Sequence, residues 1–293
     1  MSAEVTLVTP TFAKDLERFT LQRESIERCG IDLPHVALID HEDLPQFESM
    51  PFRRNLRLIS SKDVLPGRLE ARRAANRLRR RDPGYWLGYP NIHGWTVQQL
   101  LKLASAKVVE TEGIVCLDSD TFFVDCVSAS DFYAEDGRMH LYESSDDVDA
   151  EMGFWTCQSM RFLGVRLLGL PITRYTHSPV PWSRSVLREM LAFVEARHKK
   201  HWWDAILGDE QIMEYSLYGV YARHIDACKR HKPVKNTLCT YYWWPDQTRT
   251  IHEDIAERVR ADRSKAVLVN SNIGRSVDDY RSVVRSMWRS PGC

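Results

Sequence analysis

Short apolar runs separated by helical patterns fill the first part of the chain. Residues 4–12 predict a first strand, and the apolar runs at 35–40 and 55–59 predict two more. Between the first two runs, residues 13–29 show the mixed amphipathic spacing of a helix. This strand–helix–strand order is typical of a parallel sheet with helical crossovers, so the pattern predicts an α/β fold.

The clearest apolar stripe precedes an acidic motif. Residues 96–110 predict a helix with one apolar face, formed by Val97, Leu100, Leu101, Ala104 and Val108. Gly113 then interrupts the pattern ahead of residues 114–117, whose four apolar side chains predict a buried strand. The predicted strand runs directly into Asp118-Ser119-Asp120.

The rest of the chain is less regular. Residues 68–82 are rich in Arg and Ala and predict a helix, followed by an aromatic loop at 85–95. Strands are predicted at 139–143 and 266–269, helices at 183–198 and 276–288, and a proline-containing loop at 175–182. A further helix is predicted to begin near Gly208 and to carry Asp209, Glu210 and Glu214.

Composition excludes several classes of protein. Lys plus Arg and Asp plus Glu balance at 40 each, so no net charge favours binding to nucleic acid. The seven cysteines form no CxxC pair, which argues against a zinc knuckle or a disulfide scaffold, and we expect reduced thiols. Neither a secretory signal nor an apolar run of the ~20 residues that a membrane span needs is present. These features predict a cytoplasmic protein.

The acidic motif carries the strongest indication of chemistry. In an open α/β sheet, ligands gather at the carboxyl ends of the strands. Side chains at positions i and i+2 of an extended segment point to the same side, so Asp118 and Asp120 can converge on one cation. Carboxylate oxygens suit Mg²⁺ or Mn²⁺. The spacing predicts a metal site, and a turn stabilised by aspartate is the alternative.

The order of several motifs resembles that of GT-A-type glycosyltransferases. More narrowly, the chain resembles a largely uncharacterised bacterial family, DUF6492, over about residues 4–275. The order of the motifs, rather than any one of them, supports this resemblance. The motifs are Val8-Thr9-Pro10-Thr11, Gly94-Trp95 leading into Gln98-Gln99-x-x-Lys102, Asp118-Ser119-Asp120, His177-Ser178-Pro179 followed by Trp182, and Glu214-Tyr215-x-Leu217-Tyr218-Gly219.

The resemblance implies a GT-A-like nucleotide-binding sandwich, with a mainly parallel central sheet flanked by helices. No repeat or linker interrupts the chain, so we expect one domain with a nucleotide-binding half at about 1–125 and an acceptor-binding half at about 126–293. The implied reaction is metal-dependent transfer of a sugar from a nucleotide-sugar, first of all a UDP-sugar, to a hydroxyl of a glycan or glycolipid acceptor. Bacterial surface polysaccharide or lipopolysaccharide synthesis is the implied setting.

The same resemblance assigns roles to residues. Asp118 and Asp120 are expected to bind Mn²⁺ or Mg²⁺. The remaining roles concern the nucleotide-sugar. Because Gln98, Gln99 and Lys102 can share a helix face, Lys102 is expected near a phosphate and a glutamine near the nucleoside or sugar. The resemblance also places the ends of the first two strands near the nucleoside. Residues expected to contact the nucleotide are Thr9, Thr11, Asp40, Gln98, Gln99, Lys102, Asp118 and Ser119.

An inverting enzyme also needs a carboxylate base for the acceptor hydroxyl. Glu214, Asp209 and Glu210 are candidates that the sequence does not separate, and in a retaining enzyme they would orient substrate instead. His177 and Trp182 are expected to shape the acceptor pocket because aromatic faces suit sugar rings, with core packing as the alternative. The aromatic cluster at 241–245 has the same two interpretations. His252 or the Asn270-Ser271-Asn272 turn is a weaker candidate for a third metal ligand.

Two other functions, a phosphatase and a non-catalytic carbohydrate-binding protein, also fit parts of the sequence. A phosphatase of the haloacid dehalogenase type also uses a strand-end Asp-x-Asp, but after the first strand of its domain. A carbohydrate-binding protein without turnover is a second alternative. The absence of GxxxxGK[ST], and of GxGxxG after the first strand, argues against a P-loop kinase and a dinucleotide oxidoreductase. Residues 283–289 mix apolar and basic side chains, so either peripheral membrane contact or packing onto the domain is expected.

Overall fold

The computed structural model describes residues 4–69, 94–145, 150–166, 172–209, 212–244, 246–247 and 251–288, and its strands form three sheets. In chain order the strands are β1 (Val5–Thr11), β2 (His35–Ile39), β3 (Leu56–Ser60), β4 (Gly113–Cys116), β5 (Thr121–Phe123), β6 (Met139–Tyr142), β7 (Val180–Ser183), β8 (His231–Val234), β9 (Cys239–Tyr242) and β10 (Ala266–Val269).

The central sheet has the strand order β3-β2-β1-β4-β7. Its first four strands are parallel, and β7 pairs antiparallel with β4 at the edge. Strands β1, β2 and β4 are buried along their whole length, as expected for parallel strands covered on both faces. The strands predicted from the first half of the sequence are therefore confirmed.

Helices flank the sheets. They are α1 (Leu16–Arg28), α2 (Leu44–Glu48), α3 (Ser61–Val64), α4 (Gly94–Ala104), α5 (Ala150–Leu163), α6 (Arg184–His198), α7 (Trp202–Leu207), α8 (Glu214–Val220), α9 (Ile251–Asp262) and α10 (Asp278–Met287). The helix predicted at 96–110 is α4 extended by a 3-10 turn, Ser105–Lys107. Most of the predicted Arg-rich helix at 68–82 and of the loop at 85–95 lies outside the described residues.

The second sheet, in the order β5-β10-β9, places a late segment of the chain beside the acidic motif. Strand β10 runs antiparallel to β5 and parallel to β9. The Val269 amide donates to the Asp120 carbonyl at 3.0 Å, so the turn between β4 and β5 is attached to the end of β10. The third sheet is the parallel pair β6-β8.

The largest core cluster lies between the central sheet and helices α4, α6, α7 and α8. Trp182 belongs to this core: its side chain has no exposed surface and stacks on Tyr218 with ring centroids 4.8 Å apart. The Tyr218 hydroxyl accepts a hydrogen bond from the Ser183 amide at 2.7 Å. The prediction that Trp182 contacts an acceptor is therefore corrected, because its ring packs inside the protein.

Two predicted boundaries are also wrong. The loop expected at 175–182 ends in strand β7, where Pro181 is tolerated because β7 is an edge strand. The helix expected from Gly208 does not begin there. Gly208 caps the end of α7, and α8 begins only at Glu214, so Asp209 and Glu214 do not share a helix.

The C-terminal helix packs onto the domain, and most of the described cysteines are reduced. Helix α10 packs through Val284, and the Trp288 indole donates to the Phe123 carbonyl at 3.1 Å, so this segment packs onto the domain. Five described cysteines carry free thiols, as predicted, whereas Cys126 is disulfide-bonded. Among the helices within the described ranges, none combines the length and apolar character that crossing a membrane requires.

Candidate active site

A cavity of about 660 Å³ lies at the carboxyl ends of the central parallel strands. Pro10 near the end of β1 and the motif that follows β4 line one side, and helices α4 and α8 line another. This location is where open α/β sheets bind ligands. The cavity brings together seven of the residues predicted from the sequence, namely Gln98, Gln99, Lys102, Asp118, Ser119, Asp120 and Glu214.

A cluster of ion pairs around the buried Lys102 occupies the wall formed by α4 and α8. The Lys102 ammonium donates to Asp118 Oδ1 at 2.5 Å, to Glu214 Oε1 at 2.8 Å and to the Tyr215 hydroxyl at 2.7 Å. The Tyr215 hydroxyl also lies 3.2 Å from both carboxylate oxygens of Asp118. Lysine carries three N–H donors, and all three have acceptors here. Lys102 therefore has no donor left for a phosphate in this arrangement.

The charges in this cluster determine its protonation. Burial alone lowers the pKa of Lys102, but the carboxylates of Asp118 and Glu214 outweigh it and hold that pKa well above its usual value. Burial raises the pKa of Glu214, although the Lys102 ammonium opposes the shift. The raised pKa of Lys102 keeps its ammonium charged, and the two carboxyl groups share this one cation.

Asp120 has different surroundings. Its Oδ2 accepts a hydrogen bond from the Ser271 amide at 2.8 Å, and its buried Oδ1 has no partner among the described residues. Burial and the nearby Asp118 carboxylate raise the pKa of Asp120 to about 7. No lysine or arginine forms an ion pair with Asp120 within the part of the chain that is described. Its negative charge is therefore left without a cation.

A further acid, Asp15, lies beside the motif and was not predicted. Its Oδ2 accepts a hydrogen bond from the Ser119 hydroxyl at 3.2 Å, and Arg18 pairs with its Oδ1 at 3.2 Å. Burial raises the pKa of Asp15, and Asp118 adds to the shift. No local pattern indicates this role, because the contact joins residues that are 104 positions apart in the chain.

The two aspartates of the motif fit a divalent cation. The observation that supports the fit is the buried, unpartnered Oδ1 of Asp120, next to a second carboxylate on Asp118. Within the described ranges, no group of three or more His, Cys, Asp or Glu side chains is arranged to hold a metal ion. Mg²⁺ is commonly held by one or two carboxylates together with substrate phosphates and water, so two protein ligands suffice.

The two glutamines of α4 have different positions. Gln98 lines the cavity, whereas Gln99 is 3% exposed. With its amide nitrogen turned toward α8, Gln99 donates to the Ile212 carbonyl at 2.8 Å and to Glu214 Oε2 at 3.3 Å. Gln99 also lines the cavity, but its amide bonds to Glu214 and to the Ile212 carbonyl, so Gln98 is the better placed of the two to contact a ligand.

The three candidate bases are not together. Glu214 is the first residue of α8 and lines the cavity. The Asp209 carboxylate instead accepts a hydrogen bond from Arg161 at 2.6 Å, and Asp209 is not among the described residues that line the cavity. Glu210 lies outside the described residues. Of the two described candidates, the geometry brings only Glu214 to the acidic motif.

Thr9, Thr11 and Asp40, which the resemblance places near the nucleoside, are not among the described residues that line this cavity. The Thr9 hydroxyl is buried and bonds to Gln22 at 3.0 Å and His35 at 2.9 Å. Thr11 is also buried, since alternation along β1 turns Thr9 and Thr11 away from the face that Pro10 presents to the cavity. Asp40 follows β2 and lies 3.4 Å from the His41 ring. The structure thus corrects the placement of Thr9 and Thr11.

His177 is also a buried residue. Its ring packs against Tyr142 and Tyr241 with centroids 6.3 and 6.2 Å away, and 2% of the residue is exposed. Burial lowers the pKa of His177 to about 3, and the Arg174 guanidinium adds to the shift. The prediction that His177 itself contacts an acceptor is therefore corrected, although its neighbour Thr176 lines the cavity.

Aromatic side chains form the mouth of the cavity instead. Trp95 and Trp155 lie together with ring centroids 5.5 Å apart, and Trp95 is 46% exposed. Trp243 stacks on Tyr241 at 5.6 Å, and the neighbouring Trp244 is 53% exposed. The predicted aromatic cluster at 241–245 therefore contributes Trp243 and Trp244 to the cavity wall. Trp155 was missed because helix α5 was not predicted.

Solved glycosyltransferases share this fold. A structure of an active-site mutant of LgtC matches with a TM-score of 0.50 and 9% identity, over 96% of this chain and 95% of that chain. Mouse xyloside xylosyltransferase 1 in its apo form gives a TM-score of 0.47 and 10% identity, over 93% of this chain and 100% of that chain. The apo structure of the bifunctional glycosyltransferase WbbM gives a TM-score of 0.48 and 12% identity, over 98% of this chain and 52% of that chain.

The match to LgtC shows the fold, which is that of GT-A glycosyltransferases: mainly parallel sheets flanked by helices, as predicted. No curated protein shows a significant sequence match to the chain. Residues 3–269 match the model of DUF6492, a family of unknown function. The chain therefore belongs to the DUF6492 family and has a GT-A glycosyltransferase fold.

Proposed function

We propose that the protein is a glycosyltransferase that moves a sugar from a nucleotide-sugar, first of all a UDP-sugar, to a hydroxyl of a glycan acceptor. One observation carries the proposal: in a GT-A fold, the strand-end pair Asp118 and Asp120 lines a cavity of about 660 Å³ and leaves one carboxylate oxygen without a partner. A cavity of this size suits a nucleotide-sugar or part of one together with an acceptor sugar.

Mn²⁺ or Mg²⁺ would be held by Asp118 and Asp120, with the donor diphosphate completing its coordination. When bound, the ion would offset the charge that develops on the leaving diphosphate. The turn at Asn270 and Asn272 lines the same cavity and remains the candidate for a further ligand, whereas His252 lies in a separate, smaller cavity with Arg275.

The remaining residues would orient the reactants. Lys102 and Tyr215 fix the Asp118 carboxylate, and Gln98 faces the donor. Transfer forms a bond between the acceptor oxygen and the anomeric carbon and breaks the bond from that carbon to the diphosphate oxygen. In an inverting reaction, Glu214 would take the proton of the acceptor hydroxyl, and its raised pKa suits that role. In a retaining reaction, Glu214 would orient the substrate.

The acceptor would lie against the aromatic residues at the mouth of the cavity, where Trp95, Trp155, Trp243 and Trp244 present flat apolar faces. We also propose a nucleotide-binding half at about 1–125 and an acceptor-binding half at about 126–293, with Trp95 of the first half contributing to the acceptor side. Function in bacterial surface polysaccharide synthesis, at the inner face of the membrane, is proposed from the resemblance alone.

Replacing Asp120 tests the donor site. Asp120→Asn removes the charge at the unpartnered oxygen with little change of shape, so turnover of the donor with Mn²⁺ should fall at least ~100-fold. The measurement is release of nucleotide from UDP-, GDP-, CMP- and TDP-sugars, with thermal stabilisation by the same donors and Mn²⁺ as the binding readout. Asp32→Asn, at an exposed carboxylate, is the matched control and should retain the wild-type rate. Unchanged turnover in Asp120→Asn would refute the metal assignment.

Replacing Glu214 tests the base. Glu214→Gln keeps the size of the side chain and removes the proton acceptor, so transfer should fall by ~10²–10⁴-fold while nucleotide affinity changes little. Steady-state transfer rates and nucleotide titrations separate the two effects. An equal loss in both would assign Glu214 to binding.

A further inference from the structure

Arg174 is a cavity residue without an assigned role in the proposed transfer reaction. It lines the cavity, and its buried Nε atom has no hydrogen-bond partner among the described residues. No carboxylate within the described ranges lies within ion-pair distance of its guanidinium. Arginine is always charged in proteins, so a partly buried arginine without a counter-ion indicates a place for an anion.

The backbone holds Arg174 in a fixed position. Its amide donates to the Ser144 carbonyl at 2.7 Å, and its carbonyl accepts from the Ser144 amide at 3.1 Å. The preceding residue, Thr173, accepts a hydrogen bond from the Thr156 hydroxyl of α5 at 2.8 Å. The guanidinium is therefore attached to a braced segment beside α5, the helix that also carries Trp155.

The surroundings of Arg174 leave its charge unbalanced. His177 is kept neutral by burial, which lowers its pKa to about 3. Burial also raises the pKa of Tyr241, so this neighbour is neutral as well. The other cation that lines the cavity within the described ranges, Lys102, is matched by Asp118 and Glu214. Glu151 lines the cavity too but forms no ion pair with Arg174 in the described structure.

Aromatic side chains line the same cavity as this charge. Trp155 belongs to α5, beside the segment that holds Arg174, and Trp243 stacks on Tyr241, whose pKa is sensitive to the Arg174 charge. Flat apolar faces close to a guanidinium suit a sugar ring that carries an anionic substituent, because the planar fork of arginine matches a carboxylate or a phosphate.

We infer that the acceptor is a sugar that bears a carboxylate or a phosphate group, and that Arg174 binds this group while the tryptophans bind the ring. The inference rests on the proposed glycosyltransferase function, and it names the substrate class of the acceptor side of that site. Arg174 is thus a specificity-determining residue for the acceptor.

A set of acceptor probes that differ only in charge tests the inference. Methyl glucuronide and methyl glucoside 6-phosphate are compared with neutral methyl glucoside. Binding is followed by quenching of tryptophan fluorescence in the presence of Mn²⁺ and nucleotide. At least one anionic probe should bind at least ~10-fold more tightly than the neutral one, and Arg174→Gln should remove that preference. The stronger of the two anionic probes identifies the group as carboxylate or phosphate.

The control is Arg54→Gln, which removes an exposed arginine charge away from the cavity and should keep the preference. Arg174→Lys should bind the anionic probes with intermediate strength, because lysine keeps the charge but not the bidentate geometry. Equal binding of charged and neutral probes, or no binding of the anionic probes, would overturn the inference. A matching loss of nucleotide affinity in Arg174→Gln would overturn it too, since Arg174 would then bind the donor.

Donor hydrolysis without acceptor separates this inference from the proposed function. The wild-type protein and Arg54→Gln should hydrolyse the nucleotide-sugar at equal rates, because Arg54 is not among the described residues that line the cavity. Donor hydrolysis together with equal binding of the anionic and neutral acceptor probes would reject only the anionic acceptor. Absence of both hydrolysis and nucleotide binding in the wild-type protein would reject the glycosyltransferase itself.

Discussion

The two carboxylates of one motif, Asp118 and Asp120, have opposite electrostatic surroundings. Asp118 lies against the Lys102 ammonium at 2.5 Å and beside the Tyr215 hydroxyl. Asp120 accepts a hydrogen bond from the Ser271 amide, and burial together with the Asp118 carboxylate raises its pKa to about 7. One carboxylate is balanced inside the protein, and the other needs a cation from outside.

This difference indicates that Asp118 is a supporting residue and that Asp120 is the residue poised to bind a cation. A carboxylate held by a buried lysine is already oriented before any ligand arrives, whereas a desolvated carboxylate without a counter-ion gains most from a bound cation. The Lys102 cluster is therefore expected to stabilise the fold and the Asp120 side to destabilise it until a metal binds.

The largest effect is expected from Lys102→Met. Methionine has a similar shape but leaves the buried carboxylate of Glu214 and the partly exposed carboxylate of Asp118 without their cation. Breaking a buried ion pair from one side costs about 3–5 kcal/mol in the free energy of unfolding. Urea unfolding monitored by fluorescence gives this value.

Two variants sharpen that result. Lys107→Met removes an exposed lysine three residues beyond the end of α4 and should change the free energy of unfolding by less than about 0.5 kcal/mol. The double variant Lys102→Met/Glu214→Gln should regain part of the lost free energy of unfolding, because Glu214 no longer carries an unpaired negative charge. A Lys102→Met protein as stable as the wild type would show that the cluster is not a supporting element.

A pH dependence is expected from Asp120. Its folded-state pKa of about 7 lies above the ordinary value of 3.8, so the folded protein binds this proton more tightly than the unfolded chain. The contribution to stability is complete below about pH 4 and is lost as the pH rises through about 7. Without metal, the wild type should lose on the order of 3 kcal/mol more than Asp120→Asn between about pH 5 and pH 8.

Urea unfolding in a chelator at both pH values measures this difference. Added Mn²⁺ should remove most of it, since the cation replaces the proton as the partner of the carboxylate. Parallel pH profiles for the wild type and Asp120→Asn would mean that the Asp120 carboxylate is not destabilising.

The smallest effect is expected from Tyr215→Phe. The change removes one hydroxyl that bonds to both Lys102 and Asp118, and should cost about 1 kcal/mol. Tyr142→Phe is the matched control, because the Tyr142 hydroxyl is buried without a partner among the described residues. Loss of the Tyr142 hydroxyl should leave the free energy of unfolding unchanged or slightly raise it. A larger loss of stability in Tyr142→Phe than in Tyr215→Phe would contradict the hydrogen bonds assigned to Tyr215.

Periodicity alone was enough to predict the four parallel strands of the central sheet. Strands β1, β2 and β4 are buried on both faces, so each appears as a continuous apolar run. Strand β7 was missed because its sequence, Val180–Ser183, is short and contains a proline that only an edge position tolerates. The start of α8 was misplaced because acids in a first turn also suit a helix that begins earlier.

The site was predictable only where chemistry and local pattern coincide. Asp118 and Asp120 follow an apolar strand, which local sequence shows directly. The contact of Ser119 with Asp15, and the donation from Ser271 to Asp120, join residues that are 104 and 151 positions apart. Thr9 was assigned to the ligand, yet it bonds to Gln22 and His35, because strand alternation decides which face it takes.

The attachment of Asp120 to the end of β10 has a consequence for synthesis of the protein. The Val269 amide and the Ser271 amide both bond to Asp120, one at its carbonyl and one at its carboxylate. A nascent chain that has emerged as far as β5 already carries both aspartates but lacks the strand that orients the second one. The acidic motif therefore cannot take its final shape until residues 266–271 have left the ribosome, late in translation, and a chain truncated before Ala266 would fold without a competent motif.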